Sequence, residues 1–200
     1  VKSKKNVKMR GLLMAAVLVL LFSGCMSGPE PYPRVNNDSM KKKELASPDT
    51  HTLMFGFVSR AKGIFSLGEP QIPSIEFAQI NPEGEAMFVS PGRNNSFFFL
   101  QPVPLGSTMH LVYYTYKSGR TVYYSREGLQ KGNDLTVHAA EPGLYYAGSY
   151  VLTSVEENYG FHRIGEHTEL LGLQELLKKM KKTEWEPVIQ ARMEELSDED

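Results

Sequence analysis

The sequence predicts a mainly β protein: an antiparallel β-sandwich with a C-terminal α-helical hairpin, preceded by a signal peptide and a flexible tether. Three observations carry this expectation. Between residues 53 and 164, short segments rich in aromatic and β-branched residues alternate with Gly, Pro and Asn, the pattern of strands and turns. After His167, leucines recur at a spacing of three or four, the period of a helix. The first 25 residues run from a basic stretch through an apolar one to the single cysteine, Cys25.

Residues 1–24 read as the signal. Lys2, Lys4, Lys5, Lys8 and Arg10 form a positive region without an acidic residue, and Gly11 to Phe22 is uninterrupted apolar sequence. That run falls well short of the roughly 20 apolar residues a spanning helix needs, so it reads as an export signal. Val1 reads as an alternative start; with Met9 as the start, Arg10 still precedes the apolar run. Phe22-Ser23-Gly24-Cys25 resembles the lipobox of bacterial lipoproteins, in the looser spirochaete form, because Phe22 stands where Leu or Val is usual. The resemblance implies cleavage by signal peptidase II before Cys25, diacylglycerol on the Cys25 thiol, and a membrane as the anchored partner. Met26-Ser27 does not resemble the inner-membrane retention signal of enterobacterial lipoproteins, which implies the outer membrane.

Loss of residues 1–24 removes five basic residues and leaves 17 basic against 23 acidic, a net charge near −6. A domain with that balance is not built to bind nucleic acid, where many basic phosphate contacts are required. With no second cysteine, disulfides, CxxC redox chemistry and thiolate zinc sites are excluded. The exported body must therefore be held together by its core alone.

Residues 25–51 read as a lipidated flexible tether. Four prolines, several Ser, Asn and Asp and the run Lys41-Lys42-Lys43 leave little apolar surface to offset ordering entropy. The lysine run is of the kind that touches anionic head groups, though such runs are more often simply solvated.

Residues 52–167 form the expected β-sandwich domain. Its strands are expected over 53–59, 74–80, 86–90, 96–101, 108–116, 121–126, 134–139 and 144–154, with turns at Asn81-Pro82-Glu83-Gly84 and 90–95. Lys117-Ser118-Gly119-Arg120 joins the clearest hairpin. A Ser118-Gly119 tip would pair Tyr114 with Tyr123 and Tyr113 with Tyr124, one pair on each face. The open pair of these four tyrosines is a candidate platform for a glycan or peptide; more often such a ladder only stabilises its sheet.

Residues 168–200 form the helical hairpin and an acidic tail. Leu170, Leu173, Leu177 and Met180 lie on one stripe, and Lys178 to Lys182 suit a helix C-terminus. Thr183-Glu184-Trp185-Glu186 fits a capping box, opening a second helix whose Trp185, Ile189, Met193 and Leu196 share a face. Trp185 is expected to anchor the packing, and Gly172 to weaken the first helix.

Glu141-Pro142-Gly143-Leu144-Tyr145-Tyr146 resembles the Pro-Gly-x-Tyr opening of a strand in bacterial β-sandwich domains of the prealbumin or carboxypeptidase-regulatory type. The resemblance implies an accessory or binding module and carries no functional residue across.

No phosphate-cradling Gly-rich loop, GxSxG elbow or HExxH occurs, and His51, His110, His138, His162 and His167 are scattered. His162, Glu166 and His167 are the only cluster with loose metal-ligand character, and extended backbone would splay the two histidines. No catalytic, metal or cofactor residue is expected. The leading reading is a lipid-anchored, non-enzymatic envelope lipoprotein with a structural or binding role and an unidentified envelope protein or glycan as partner. The alternatives are a glycan- or peptide-binding module using the tyrosines, and an envelope hydrolase assembled only in three dimensions.

Overall fold

The computed structural model describes residues 34–37, 40–60, 72, 74–92, 96–118, 121–125, 135–155, 158–165 and 167–198. The expected signal segment and Cys25 lie outside them. Tyr32–Asp200 forms one compact unit.

The chain is mainly β, with eleven strands among the described residues, followed by two helices. They are β1 (Arg34–Asn36), β2 (His51–Arg60), β3 (Ser74–Asn81), β4 (Glu83–Val89), β5 (Phe97–Phe99) and β6 (Val103–Pro104). Then come β7 (Thr108–Ser118), β8 (Thr121–Ser125), β9 (Thr136–His138), β10 (Gly143–Val155) and β11 (Asn158–Ile164). The helices are α1 (Glu169–Met180) and α2 (Trp185–Asp198).

The first sheet has the order β1-β4-β3-β7-β8, with β9 pairing the N-terminal part of β7. The second has the order β11-β10-β2-β5, with β6 also on β2. The expected antiparallel arrangement needs correction at two places: β2 runs parallel to β10 and β1 parallel to β4. Parallel neighbours need a long connection. The chain between β2 and β10 provides one: it builds β3, β4, β7, β8 and β9 of the first sheet and adds β5 and β6 to the second.

Ile75, Phe77, Met87, Val89, Met109 and Leu111 of the first sheet share one hydrophobic cluster with Met54, Val58, Phe98, Tyr150, Leu152 and Phe161 of the second. Among the described residues, ring contacts cross between the sheets: Phe77 stacks on Phe98 at 5.5 Å, and Tyr114 meets Phe161 edge-on at 5.0 Å. The other face of β2 presents Leu53, Phe55 and Phe57 to Leu173, Leu176, Met180, Trp185 and Ile189 of the helices. Strand β2 is thus buried on both faces, which is why its sequence, Leu53-Met54-Phe55-Gly56-Phe57-Val58, is apolar throughout instead of alternating.

Gly172 has a packing reason. A Cβ there would sit 2.7 Å from Cε2 and 2.9 Å from Cδ2 of the Phe55 ring, so α1 approaches the sheet closely only because this side chain is missing. Thr168 caps α1 by accepting from the Leu171 N–H at 3.3 Å. At α2 the expected capping box is modified: Thr183 Oγ1 accepts from Trp185 N, while Glu186 reaches back to the N–H of Lys182 at 2.7 Å, one residue before Thr183. Lys182 sits at φ 65°, and that turn brings its amide to the carboxylate.

Of the flexible tether expected over 25–51, residues 34–37 and 40–51 are part of the folded body. Strand β1 pairs with β4, and Asn37, fully buried, donates to Phe99 O at 2.9 Å and accepts from Gln101 N at 2.5 Å. Met40 and Leu45 pack against the helix-side cluster. A polar-rich segment is held here because its few apolar groups and one amide meet partners that composition does not reveal.

Candidate functional site

Strand alternation places Ser74, Glu76 and Ala78 of β3 on the face of the first sheet opposite Ile75 and Phe77. Ala78 lies across from His110, Glu76 across from Tyr113, and Ser74 across from Thr115. Ser74, Glu76, His110 and Thr115 are all buried, so this outer face is a sheltered polar surface. The hydroxyls of Ser74 and Thr115 bond at 2.7 Å, and His110 Nδ1 bonds Thr136 Oγ1 at 2.5 Å. His110 Nε2 is buried without a hydrogen-bond partner. Burial pushes the His110 pKa down, which keeps the ring neutral. An imidazole and an acidic side chain, those of His110 and Glu76, thus share one buried sheet face. Among the described residues, no three His, Cys, Asp or Glu side chains converge as a metal site.

The register decides the fate of the four tyrosines. Between the pairs Phe77–Leu111 and Glu76–Tyr113, β7 carries one extra residue, Val112, a β-bulge. It inverts the alternation expected from Leu111 onward. Tyr114 turns into the core, 4% exposed, and Tyr113 is half-buried on the outer face. The hairpin also corrects the expected pairing. Ser118 pairs with Thr121, Tyr116 with Tyr123, Thr115 with Tyr124 and Tyr114 with Ser125, so each β8 residue meets a partner two positions further along β7 than a Ser118-Gly119 tip would give. Of Tyr123 and Tyr124 only this backbone register is described. Tyr114, as a core residue, leaves the candidate platform.

A second polar node lies between β10 and α1. Another bulge, with Ala147 as the extra residue between the Tyr146–Phe55 and Gly148–Gly56 pairs, brings Tyr146 and Ser149 to the same side. Both hydroxyls donate to the His167 carbonyl, at 2.7 Å and 3.4 Å. The His167 ring lies on Phe57 with centroids 4.4 Å apart. Gly148 adopts φ 103°, and a Cβ on Gly56 would come within 2.6 Å of its carbonyl, so both glycines are required for the bulge. This node fixes the turn that starts α1. Its histidine is occupied as a packing group, His162 is exposed on β11, and Glu166 lies outside the described residues.

Sequence reasoning missed Glu76, His110 and Asn37 as a class. For Glu76 and His110 the signal was only a polar residue at a buried strand position, in a pairing whose bulge hides the alternation; Asn37 follows the end of β1 and is marked by nothing local. Comparison with protein-family models, with curated proteins and with solved structures finds no match to this chain.

Proposed function

We propose that this chain is a lipid-anchored, non-enzymatic protein of the bacterial cell envelope, held by diacylglycerol on Cys25, most consistent with the outer membrane. The observation that carries the reading is the order of basic region, apolar run and Phe22-Ser23-Gly24-Cys25 within the first 25 residues. The folded body supports a structural or binding role, since two sheets sharing one hydrophobic cluster suit a β-sandwich of the prealbumin or carboxypeptidase-regulatory type. Among the described residues, polar groups such as Ser74 with Thr115 and Tyr146 with His167 are engaged with one another.

The test is Cys25→Ser in the native host. The wild type should partition into detergent and incorporate labelled fatty acid, and the variant should do neither. Equal membrane association and labelling of the two proteins would refute the anchor.

A further inference from the structure

The chain carries two lysine runs far apart in sequence, Lys41-Lys42-Lys43 and Lys178-Lys179-Met180-Lys181-Lys182. The fold brings them together. Lys42 Nζ reaches the carbonyl of Lys181, 139 residues away, at 3.5 Å. Two stronger contacts hold the same segment in place: Met40 and Leu45 pack against the helix-side cluster, and Ala46 O accepts from Trp185 Nε1 at 2.9 Å. The juxtaposition therefore rests on buried packing and not on the lysines themselves.

We propose that Lys41, Lys42, Lys178, Lys179, Lys181 and Lys182 form one basic surface that lies on an anionic phospholipid bilayer. All six are exposed. Lys41 is paired with Glu44 and Lys178 with Glu175, while no described acidic side chain forms an ion pair with Lys42, Lys179, Lys181 or Lys182. The nearby Glu186 is turned to the Lys182 main-chain N–H, and Glu184 is the remaining acidic neighbour in that turn. These lysines are exposed and come from two separate segments, the stretch around Lys41 and the end of α1 with the turn after it. They match a fluid layer of many anionic head groups.

This inference rests on the lipid-anchor reading for its biological setting. Cys25 precedes Lys41 by 16 residues, at most about 55 Å of extended chain. An anchored body would thus meet the bilayer at high effective concentration. The remainder of the anchored protein is acidic, so an anionic surface attracts this face and repels the others, which sets one orientation.

The test is flotation of the full-length protein with vesicles of phosphatidylcholine alone or with one third phosphatidylglycerol. Each lysine near an anionic surface raises partitioning about five-fold. Wild type should therefore prefer the anionic vesicles, and the quadruple variant K178E/K179E/K181E/K182E should lose at least about ten-fold of that preference. High salt should abolish the difference. Unchanged thermal melting and Trp185 emission of the variant confirm that it folds, and the milder pair K179Q/K181Q should lose part of the preference if it does not. Equal preference in wild type and folded variant overturns the proposal. So does equally tight binding to soluble polyphosphate, which would assign the patch to a free polyanion. Cys25→Ser in the same assay separates the two readings: loss of the anchor lowers binding to both vesicle types and leaves their ratio intact.

Discussion

The indole Nε1–H of Trp185 donates to the main-chain carbonyl of Ala46 at 2.9 Å, joining the first turn of α2 to a segment 139 residues earlier. Trp185 is fully buried between the helices and the Leu53-Phe55-Phe57 face of β2. The single tryptophan thus fastens three parts of the chain at one point.

Trp185→Ala should cost about 3–5 kcal/mol of stability through the cavity it leaves. Trp185→Phe keeps most of the packing but leaves Ala46 O without its donor, and should cost about 1–3 kcal/mol. Denaturant titration checks both, and native wild-type emission should be blue-shifted relative to the unfolded chain.

Asn37→Ala removes the donor to Phe99 O and the acceptor for Gln101 N in a fully buried position. Leaving these groups unmatched should cost about 1–3 kcal/mol. Hydrogen exchange should show the Gln101 amide losing protection before the centre of β2 does. Unchanged protection there would mean that the amide does not hold residues 34–50 to the body.

Gly172→Ala sets two effects against each other. Helix propensity favours alanine by about 1 kcal/mol, whereas a Cβ 2.7 Å from a fully buried ring carbon of Phe55 forces repacking that costs about 1–3 kcal/mol. The ring belongs to the core and cannot swing into solvent, so the clash should win. A lower melting temperature is expected, by a few degrees at this chain length. A higher one would show that α1 lifts off the sheet without loss.

His110 gives a pH dependence with a definite sign. Burial lowers its pKa below the ordinary 6.5, so below that pH the unfolded chain binds a proton that the folded chain refuses. Its contribution to stability is fully present above pH 6.5 and is lost as the pH falls through the folded-state value. His110→Gln should flatten this part of the stability profile. Identical slopes for wild type and variant from pH 7 downward would remove His110 as the cause.

The strand-rich body, the change of period after His167 and both helices follow from local sequence, because turn residues and hydrophobic spacing act over a few positions. Trp185 as an anchor was legible for the same reason: its stripe with Ile189 shares one helical face. Four features depend on pairing across the fold. The bulge at Val112 exchanges the faces of Tyr113 and Tyr114, and nothing local marks it, since an extra residue is defined only against the strand opposite. The parallel pairing of β2 with β10 joins segments about 90 residues apart. The docking of residues 34–50 depends on Asn37 and Ala46 finding acceptors and donors in β5 and α2. Gly172, unfavourable by helix propensity, becomes necessary only once Phe55 lies against it. Local sequence therefore determined which segments are strands and helices, while tertiary contact decided which face each residue shows, because registry, bulges and close approach are properties of pairs of segments and not of either one alone.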